Sequence, residues 1–317
     1  MGGRFARDEE VAAWQEDGWV LLDGLVDTEE IDAAIADLRY VFPASEKFHA
    51  DPESHRPPGR ADAELRRGYP EMPATGPAFR PEQHRFRSEF PFYGSGALSR
   101  LCVHPAIVDF MERALATVDL RVYQAQVSAK YTGDANFEQP MHTDRNHSFL
   151  PPRMEPPWWH AETFLYLTDV EEGTAPTHLV SRHDAAGRSP NSIFMPTGDP
   201  ELYARERPAA AGRGALLVYG PDVFHRGVDL TKAGGHRYLL NVSYKVAGHD
   251  WVGFHSPQSQ ATHPAWVQFV EGSTPRELEL LGFPPPGHPV WTAGLVDATS
   301  EKYRKLDVEP WRRALRR

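Results

Sequence analysis

The chain has 317 residues, of which 40% are hydrophobic and 25% are charged, proportions typical of a globular protein with a sizeable core. Its formal net charge of -10 and its pI near 5.8 argue against nucleic-acid or anionic-membrane partners, because both require clustered Lys and Arg. The single cysteine, Cys102, excludes an intramolecular disulfide and a multi-cysteine metal site, and we expect it to be a buried small hydrophobe. Residues 1–16 carry charges where a secretory signal needs an apolar run, and no stretch approaches the roughly 18 apolar residues of a membrane span. We therefore expect a cytoplasmic protein with a small-molecule substrate, and the sequence leaves its oligomeric state open.

The N-terminal region predicts two helices separated by one strand. Residues 7–17 have the pattern of a short amphipathic helix, and Gly18 is well placed to end it. Residues 19–22 are typical of a strand. Asp27 followed by Glu30 resembles a capping box and predicts that a second amphipathic helix begins there.

The next segment, from about Phe42 to Gly96, is rich in Pro, Gly and Arg and shows no sustained periodicity. This composition predicts a long surface segment, and such segments in compact proteins often cover functional sites. We expect it to form, with residues 151–159, a mobile wall over the active site. Pro105 then predicts the first turn of another helix, with an apolar stripe within 107–115.

The second half of the chain is rich in strand patterns. Turn-forming Pro, Gly, Asp and Asn residues separate four runs rich in β-formers, at 121–131, 162–168, 215–219 and 237–246. These runs predict an antiparallel sandwich or barrel. Helix signals return at Thr274, Pro275 and Glu277, which have the order of an N-cap, a first-turn proline and a capping-box acid.

A candidate metal site begins at His142-Thr143-Asp144. On an extended segment, residues i and i+2 point to the same side, so the imidazole and the carboxylate can share one cation. Taken alone, the motif could equally be a loop whose Asp accepts backbone hydrogen bonds. The apolar run 215–224 ends in a turn and then presents His225, which could complete a set of two His and one carboxylate. Such a set leaves coordination positions open and is the facial triad of iron(II) oxygenases.

Arg237 opens the last β-rich run, downstream of His225. Its planar guanidinium could bind a dicarboxylate with two parallel hydrogen bonds at a fixed distance from the metal. Alone, it would more simply be an arginine at a strand edge. The ordered set of His-x-Asp, distal His and Arg on a β-rich frame favours the functional interpretation.

On these residues the sequence resembles the phytanoyl-CoA dioxygenase family of iron(II)- and 2-oxoglutarate-dependent oxygenases. The resemblance rests on Asp-Gly-Trp-Val-Leu-Leu at 17–22, Met-His-Thr-Asp at 141–144, Tyr-Leu-Thr-Asp-Val at 166–170 and Phe-His-Arg-Gly at 224–227. It implies a mainly β fold with flanking helices, the double-stranded β-helix or cupin-like jelly roll. It also implies that His142, Asp144 and His225 bind Fe(II), that Arg237 binds the distal carboxylate of 2-oxoglutarate, and that O2 is consumed.

We expect one oxygenase domain over 1–317. Its parts are a helical N-terminal extension and lid segment in 1–120, a jelly-roll core in 121–250 and C-terminal helices in 251–317. Domains of this size with a barrel or sandwich core often form one unit with appended helices.

The sequence also departs from the family pattern. Many members have Gly-Ser-His near 180–183, where this chain has Val-Ser-Arg-His, and many carry a hydroxyl residue at the position of Gly227. Another group must then complete the hydrogen bonds of the cosubstrate carboxylate. Gln126 and Lys130 share one strand face by period two, and Gln126 is the preferred cosubstrate contact; the alternative is that both face solvent.

Other polar and aromatic residues could line the substrate space. Asn146 and His147 follow the metal motif closely, and Trp158 and Trp159 lie in a Pro-rich loop where packing and recognition are equally plausible roles.

The implied reaction is hydroxylation of a small or medium-sized metabolite with release of succinate and carbon dioxide. Asp144 supplies the carboxylate that halogenating members replace with halide, so C–H oxidation is favoured over halogenation. Two other functions are compatible with these residues. A non-catalytic cupin-like protein could bind a metal or small acid, and a triad holding zinc could catalyse hydrolysis.

Overall fold

The computed structural model describes residues 4–55, 86–92, 95–134, 139–144, 150, 155–188, 199–249, 252 and 264–316. Of the helices in these ranges, none combines the length and the apolar character that a membrane-spanning segment requires. The helices are α1 (Asp8–Asp17), α2 (Thr28–Leu38), α3 (Ser45–Ala50), α4 (Gly96–Leu101), α5 (Pro105–Ala114), α6 (Pro200–Ala204), α7 (Pro264–Glu271), α8 (Pro275–Leu280), α9 (Ala293–Lys302) and α10 (Glu309–Leu315), with one 3-10 turn at Glu53–His55.

The strands form two antiparallel sheets. They are β1 (Trp19–Leu22), β2 (Phe86–Glu89), β3 (Leu120–Tyr131), β4 (His160–Tyr166), β5 (His178–Val180), β6 (Arg207–Pro208), β7 (Leu216–Tyr219), β8 (Phe224–Arg226) and β9 (His236–Val246). The larger sheet has the order β1-β7-β4-β9-β3-β2, and the smaller has the order β6-β5-β8. All five predicted strands, β1 included, match to within two residues, whereas the short strands β2, β5, β6 and β8 were not predicted.

Most of the predicted helix boundaries are confirmed by the caps that the structure contains. The Asp27 side chain accepts the Glu29 N–H at the start of α2. Thr274 and Glu277 form the predicted capping box at the start of α8. Gly18 ends α1 with φ 83°, and a Cβ there would lie 2.5 Å from Val223 Cγ2. Position 18 therefore requires glycine both for its backbone conformation and for the close approach.

The larger sheet has one apolar and one polar face. Its outer face carries residues such as Val127, Leu240, Val242 and Leu216, which belong to the main hydrophobic cluster together with the helices. Its inner face carries Gln124, Gln126 and other polar residues along the same strands. Because side chains alternate across a strand, this division places the stabilising core on one side and leaves the other side for a polar cavity.

Parts of the segment from Phe42 to Gly96 differ from the prediction, although residues 51–54 are exposed as expected. Phe42, Phe48, Phe86 and Phe92 are buried, and the Phe48 ring stacks on Tyr131 at 4.3 Å between centroids. The expectation of a surface segment is wrong for these parts, because aromatic residues without helical or strand period still supply much apolar area. Residues 56–85 lie outside the described residues, and the proposed lid there stays a prediction.

Candidate metal centre

His142 and His225 are held next to each other by their own backbones. His142 N–H donates to the His225 carbonyl at 3.0 Å, and His225 N–H donates back to the His142 carbonyl at 2.8 Å. Nδ1 of His142 lies 2.9 Å from the Pro140 carbonyl, and Nδ1 of His225 lies 3.0 Å from the Val223 carbonyl. Each Nδ1–H is therefore used by the backbone, which leaves both Nε2 atoms available as ligands.

Asp144 completes a compact group of three ligand residues. Its backbone N–H donates to the Pro221 carbonyl at 3.0 Å, and the Tyr219 hydroxyl donates to its Oδ2 at 3.1 Å. His225 Nε2 lies 3.4 Å from Asp144 Oδ2, and His142 Nε2 lies 4.0 Å from Oδ1. One ligand atom from each of the three residues lies within 4.8 Å of the others, so the group could hold one metal ion.

The three residues line a cavity of about 300 Å³. Its walls come from both sheets, with Phe164 from β4 and Leu239 from β9 among the larger apolar contributors. The Tyr219 hydroxyl is completely buried in this wall, and burial together with the nearby Asp144 and Glu162 raises its pKa well above the usual range. The hydroxyl therefore stays protonated and remains a hydrogen-bond donor to Asp144.

The end of the cavity formed by Lys130 and Arg237 is cationic. These two residues are direct partners across β3 and β9, and both are buried. Arg237 donates from Nη1 to the Ala175 carbonyl, while its Nε has no partner among the described residues. Burial lowers the pKa of Arg237 to about 10, which still leaves the guanidinium charged at neutral pH. The arrangement can bind an anion, because a buried charge is costly without a counter-ion.

A second polar group lies near the metal centre. Gln124, Ser243, Glu162 and Tyr219 occupy one transverse row of the larger sheet, as direct partners on successive strands β3, β9, β4 and β7. We call these four residues the transverse row. The Glu162 carboxylate accepts hydrogen bonds from the hydroxyls of Tyr123 and Ser243. A register shift between Val122 and Gln124 brings the Tyr123 hydroxyl to Glu162, as bulges commonly re-aim a side chain.

The other predicted site residues fall in different places. Gln126 and Lys130 are buried and line the cavity, so the solvent-facing alternative is wrong for both. Trp158 is buried away from the cavity lining, where it packs at 6.1 Å against Trp14 and at 3.8 Å under the Arg182 guanidinium carbon. Trp159 contacts His249 at 5.7 Å between ring centroids. Asn146 and His147 lie outside the described residues.

Arg182 supports the turn beside the metal centre. Its Nε and Nη2 bind the Asp222 carboxylate at 2.6 and 2.9 Å, and its Nη1 donates to the carbonyls of Trp14 and Gln15 at 3.0 Å. The turn that contains Asp222 also supplies the Pro221 carbonyl that binds Asp144. The sequence contained no signal for this connection, because Arg182 and Asp222 are 40 residues apart.

Three solved structures with a similar fold share 12–18% sequence identity with this chain. The non-haem α-ketoglutarate-dependent carbocyclase SnoK from nogalamycin biosynthesis is 18% identical, with a TM-score of 0.51 over 76% of this chain and 85% of SnoK. The epimerase SnoN, in a complex with Fe3+, α-ketoglutarate and nogalamycin RO, is 16% identical, with a TM-score of 0.52 over 76% of this chain and 83% of SnoN. AviO1 from Streptomyces viridochromogenes Tue57 is 12% identical, with a TM-score of 0.51 over 78% of this chain and 99% of AviO1.

No protein-family model matches the chain, and no curated protein sequence matches it either. The structural similarity shows the fold alone. It confirms the predicted mainly β jelly roll with flanking helices, the fold of non-haem iron, 2-oxoglutarate-dependent enzymes. On that fold this chain carries the triad His142, Asp144 and His225.

Proposed function

We propose that this protein is an iron(II)- and 2-oxoglutarate-dependent dioxygenase that hydroxylates a small or medium-sized metabolite. One observation carries the proposal. A group of two His and one Asp, with both imidazoles oriented through Nδ1, lines the same cavity as a buried arginine that has an unpartnered Nε. A metal centre that also binds an anionic cosubstrate needs a set of ligands for the metal and a cationic group for the cosubstrate.

The donor set fits iron(II). His142 and His225 would bind through Nε2 and Asp144 through a carboxylate oxygen, a combination that leaves positions for other ligands. When bound, iron supplies the oxygen chemistry that couples decarboxylation of 2-oxoglutarate to oxidation of a substrate C–H bond. Tyr219 would keep Asp144 oriented, as outer-shell hydrogen bonds commonly do at metal sites.

The cationic end fits the distal carboxylate of 2-oxoglutarate. Arg237 would bind it through Nε and the adjacent guanidinium nitrogens, and Lys130 would add a second positive charge from the neighbouring strand. Gln126 lies on the same strand face as Lys130, toward the metal centre, and would hydrogen-bond the cosubstrate along its length. The Thr177 hydroxyl lines the same cavity and would serve where family members have the hydroxyl that Gly227 lacks.

We further propose that 1–317 forms one oxygenase domain, with its extension in 1–120, its core in 121–250 and its C-terminal helices in 251–317. The N-terminal part contributes β1 and β2 to the larger sheet, which supports a single unit. The walls of the cavity would exclude water from the reacting atoms.

The fold by itself does not determine that the reaction is a hydroxylation. SnoK is described as a carbocyclase and SnoN as an epimerase, so one fold supports several outcomes at the substrate carbon. Mass analysis of the product distinguishes them. Hydroxylation adds one oxygen atom that comes from labelled O2, whereas cyclisation removes two hydrogen atoms and epimerisation leaves the mass unchanged.

The deciding experiment loads the protein anaerobically with iron(II) and titrates 2-oxoglutarate. We expect a weak visible charge-transfer band to develop, because the 2-oxo acid chelates the metal. A screen of metabolites for oxygen-dependent formation of succinate then tests turnover. A folded, iron-loaded sample without the band would contradict the proposal. Cosubstrate binding without oxygen consumption would favour the non-catalytic cupin-like protein, and zinc-dependent hydrolysis would favour the third candidate.

A further inference from the structure

Gln139 lies beside Gly227 in the cavity wall and contacts its backbone at two points. The Gln139 backbone N–H donates to the Gly227 carbonyl at 2.9 Å. The Gly227 N–H donates in return to Oε1 of the Gln139 side chain at 2.8 Å. Both residues are half-buried and line the same cavity as the metal ligands. Their pairing lies next to the one between His142 and His225, so Gln139 belongs to the wall that presents the two imidazoles.

The hydrogen bond to Gly227 fixes the orientation of the Gln139 amide. A backbone N–H can only donate, so the side-chain atom that faces it must be the oxygen and not the nitrogen. Nε2 is then turned away from that N–H, and it carries two N–H donors of its own. Among the residues that the structure describes, Nε2 has no hydrogen-bond partner. Gln139 therefore brings a donor group to the cavity wall without a protein acceptor for it.

The Gln139 amide adjoins the cationic end of the cavity. Val228 follows the glycine that Gln139 contacts, and its carbonyl accepts a hydrogen bond from Lys130 Nζ at 3.4 Å. Lys130 is in turn the direct partner of Arg237 across β3 and β9. The same glycine follows the metal ligand His225 by two positions, which is about 7 Å along an extended segment. The amide is therefore placed between the metal centre and the two cations.

We propose that Gln139 binds the distal carboxylate of 2-oxoglutarate through Nε2 and thereby selects cosubstrates that carry this second carboxylate. This inference rests on the proposed function. Gly227 has no side chain with which to bind a cosubstrate, and Gln139 lies against its backbone, so the amide supplies a donor at that place. A carboxylate offers about four acceptor positions, so the amide adds to Arg237, Lys130 and Thr177 and does not compete with them.

The Gln139 side chain also has a structural role, because its Oε1 accepts the Gly227 N–H. Gln139→Glu separates the two roles. The carboxylate keeps an oxygen for the Gly227 N–H but replaces the NH2 donor by a second, negatively charged acceptor, which would repel a bound carboxylate. If the side chain served only to hold Gly227, this substitution would leave cosubstrate binding unchanged.

The test compares 2-oxoglutarate with 2-oxopentanoate, which has the same carbon chain and lacks only the distal carboxylate. Both are titrated anaerobically by the charge-transfer band at fixed iron(II). We expect Gln139→Glu to weaken 2-oxoglutarate binding roughly ten- to a hundredfold, the range for a hydrogen bond to a charged group, and to leave 2-oxopentanoate binding within about threefold. Gln268→Glu introduces the same charge at an exposed position of α7 and should change neither affinity.

If circular dichroism shows that Gln139→Glu does not fold, Gln139→Met serves instead, because methionine has a similar length and no N–H donor. Equal losses for the two 2-oxo acids would show that Gln139 has only a structural role, and an unchanged affinity for 2-oxoglutarate would also overturn the inference.

A wild-type protein that develops no charge-transfer band would contradict the proposed function instead. Glutarate, which has two carboxylates and no oxo group, then tests the inference by calorimetric titration of the metal-free protein. Weaker binding of glutarate to Gln139→Glu than to the wild type would support the carboxylate contact. Equal binding to both proteins, or no binding to either, would overturn it.

Discussion

Lys130 on β3 and Arg237 on β9 face each other as direct partners in the larger sheet, although both side chains are cationic and buried. Like charges opposite each other destabilise a sheet, and burial adds a desolvation cost. A carboxylate bound to these two residues on the cavity side of the sheet would reduce that cost.

The first prediction follows from this pair. Arg237→Lys should weaken 2-oxoglutarate binding because it keeps the charge but loses the two-pronged geometry, and Arg237→Ala should weaken it further. The larger loss should be on the order of 1.5–3 kcal/mol, or roughly ten- to a hundredfold in affinity. Titration of the charge-transfer band at fixed iron measures it, with unchanged iron affinity as the control. Equal dissociation constants for all three proteins would show that Arg237 has only a structural role. Lys130 would then be the residue expected to bind the distal carboxylate.

The second prediction concerns the triad. Replacing His142, Asp144 or His225 by Ala should abolish turnover and greatly weaken iron(II) binding, while the fold survives because the main hydrophobic cluster lies on the other face of the larger sheet. Circular dichroism checks the fold, and metal content after dialysis checks binding. A folded variant that retains wild-type iron affinity would remove that residue from the ligand set.

The third prediction isolates the Tyr219 hydroxyl. Tyr219→Phe keeps the ring but removes the hydrogen bond to Asp144, so iron(II) affinity should fall about tenfold. Tyr166→Phe is the matched control, because its equally buried hydroxyl donates to the Ala209 carbonyl away from the metal. Competition with a chelator measures both. The hydroxyl has no role at the metal if the two variants lose iron equally.

The fourth prediction tests the support of the turn at 220–222. Arg182→Ala would leave the Asp222 carboxylate buried without its guanidinium, and we expect a loss of about 3–5 kcal/mol in the free energy of unfolding. Arg312→Ala breaks the exposed pair with Asp297 and should cost less than about 1 kcal/mol. Urea denaturation of both variants makes the comparison. Losses of similar size would show that the buried pair contributes no more to stability than the exposed pair.

The fifth prediction is a pH dependence. Burial opposes the charge on Glu206, but hydrogen bonds and charge from Arg226 and His178 outweigh it and lower the pKa of Glu206 to about 2. Since the folded state holds the carboxylate more acidic than the unfolded chain does, its stabilisation is present above about pH 4.5 and is lost as the pH falls toward 2. The stability gap between wild type and Glu206→Gln should therefore shrink across this range in urea denaturation. A difference in stability that stays constant with pH would show that the charge of Glu206 is not its source.

The sequence alone determined the local features of this protein. Runs of β-forming residues bounded by turn residues predicted β3, β4, β7 and β9, and capping residues predicted where α2 and α8 begin, because these signals depend on neighbours a few residues apart. The His-x-Asp motif was visible for the same reason. Arg237 could be proposed as a residue that binds a dicarboxylate because it lies at the start of a predicted strand.

Only the tertiary structure decided which distant residues meet. His142 and His225 are 83 positions apart, and their mutual backbone hydrogen bonds depend on the pairing of two segments that have no common local pattern. The contacts of Glu162 with Tyr123 and Ser243 join three strands, and the first depends on one register shift in β3. Such contacts are set by strand register and by packing over the whole sheet, since a slip of one residue would turn every one of these side chains to the opposite face.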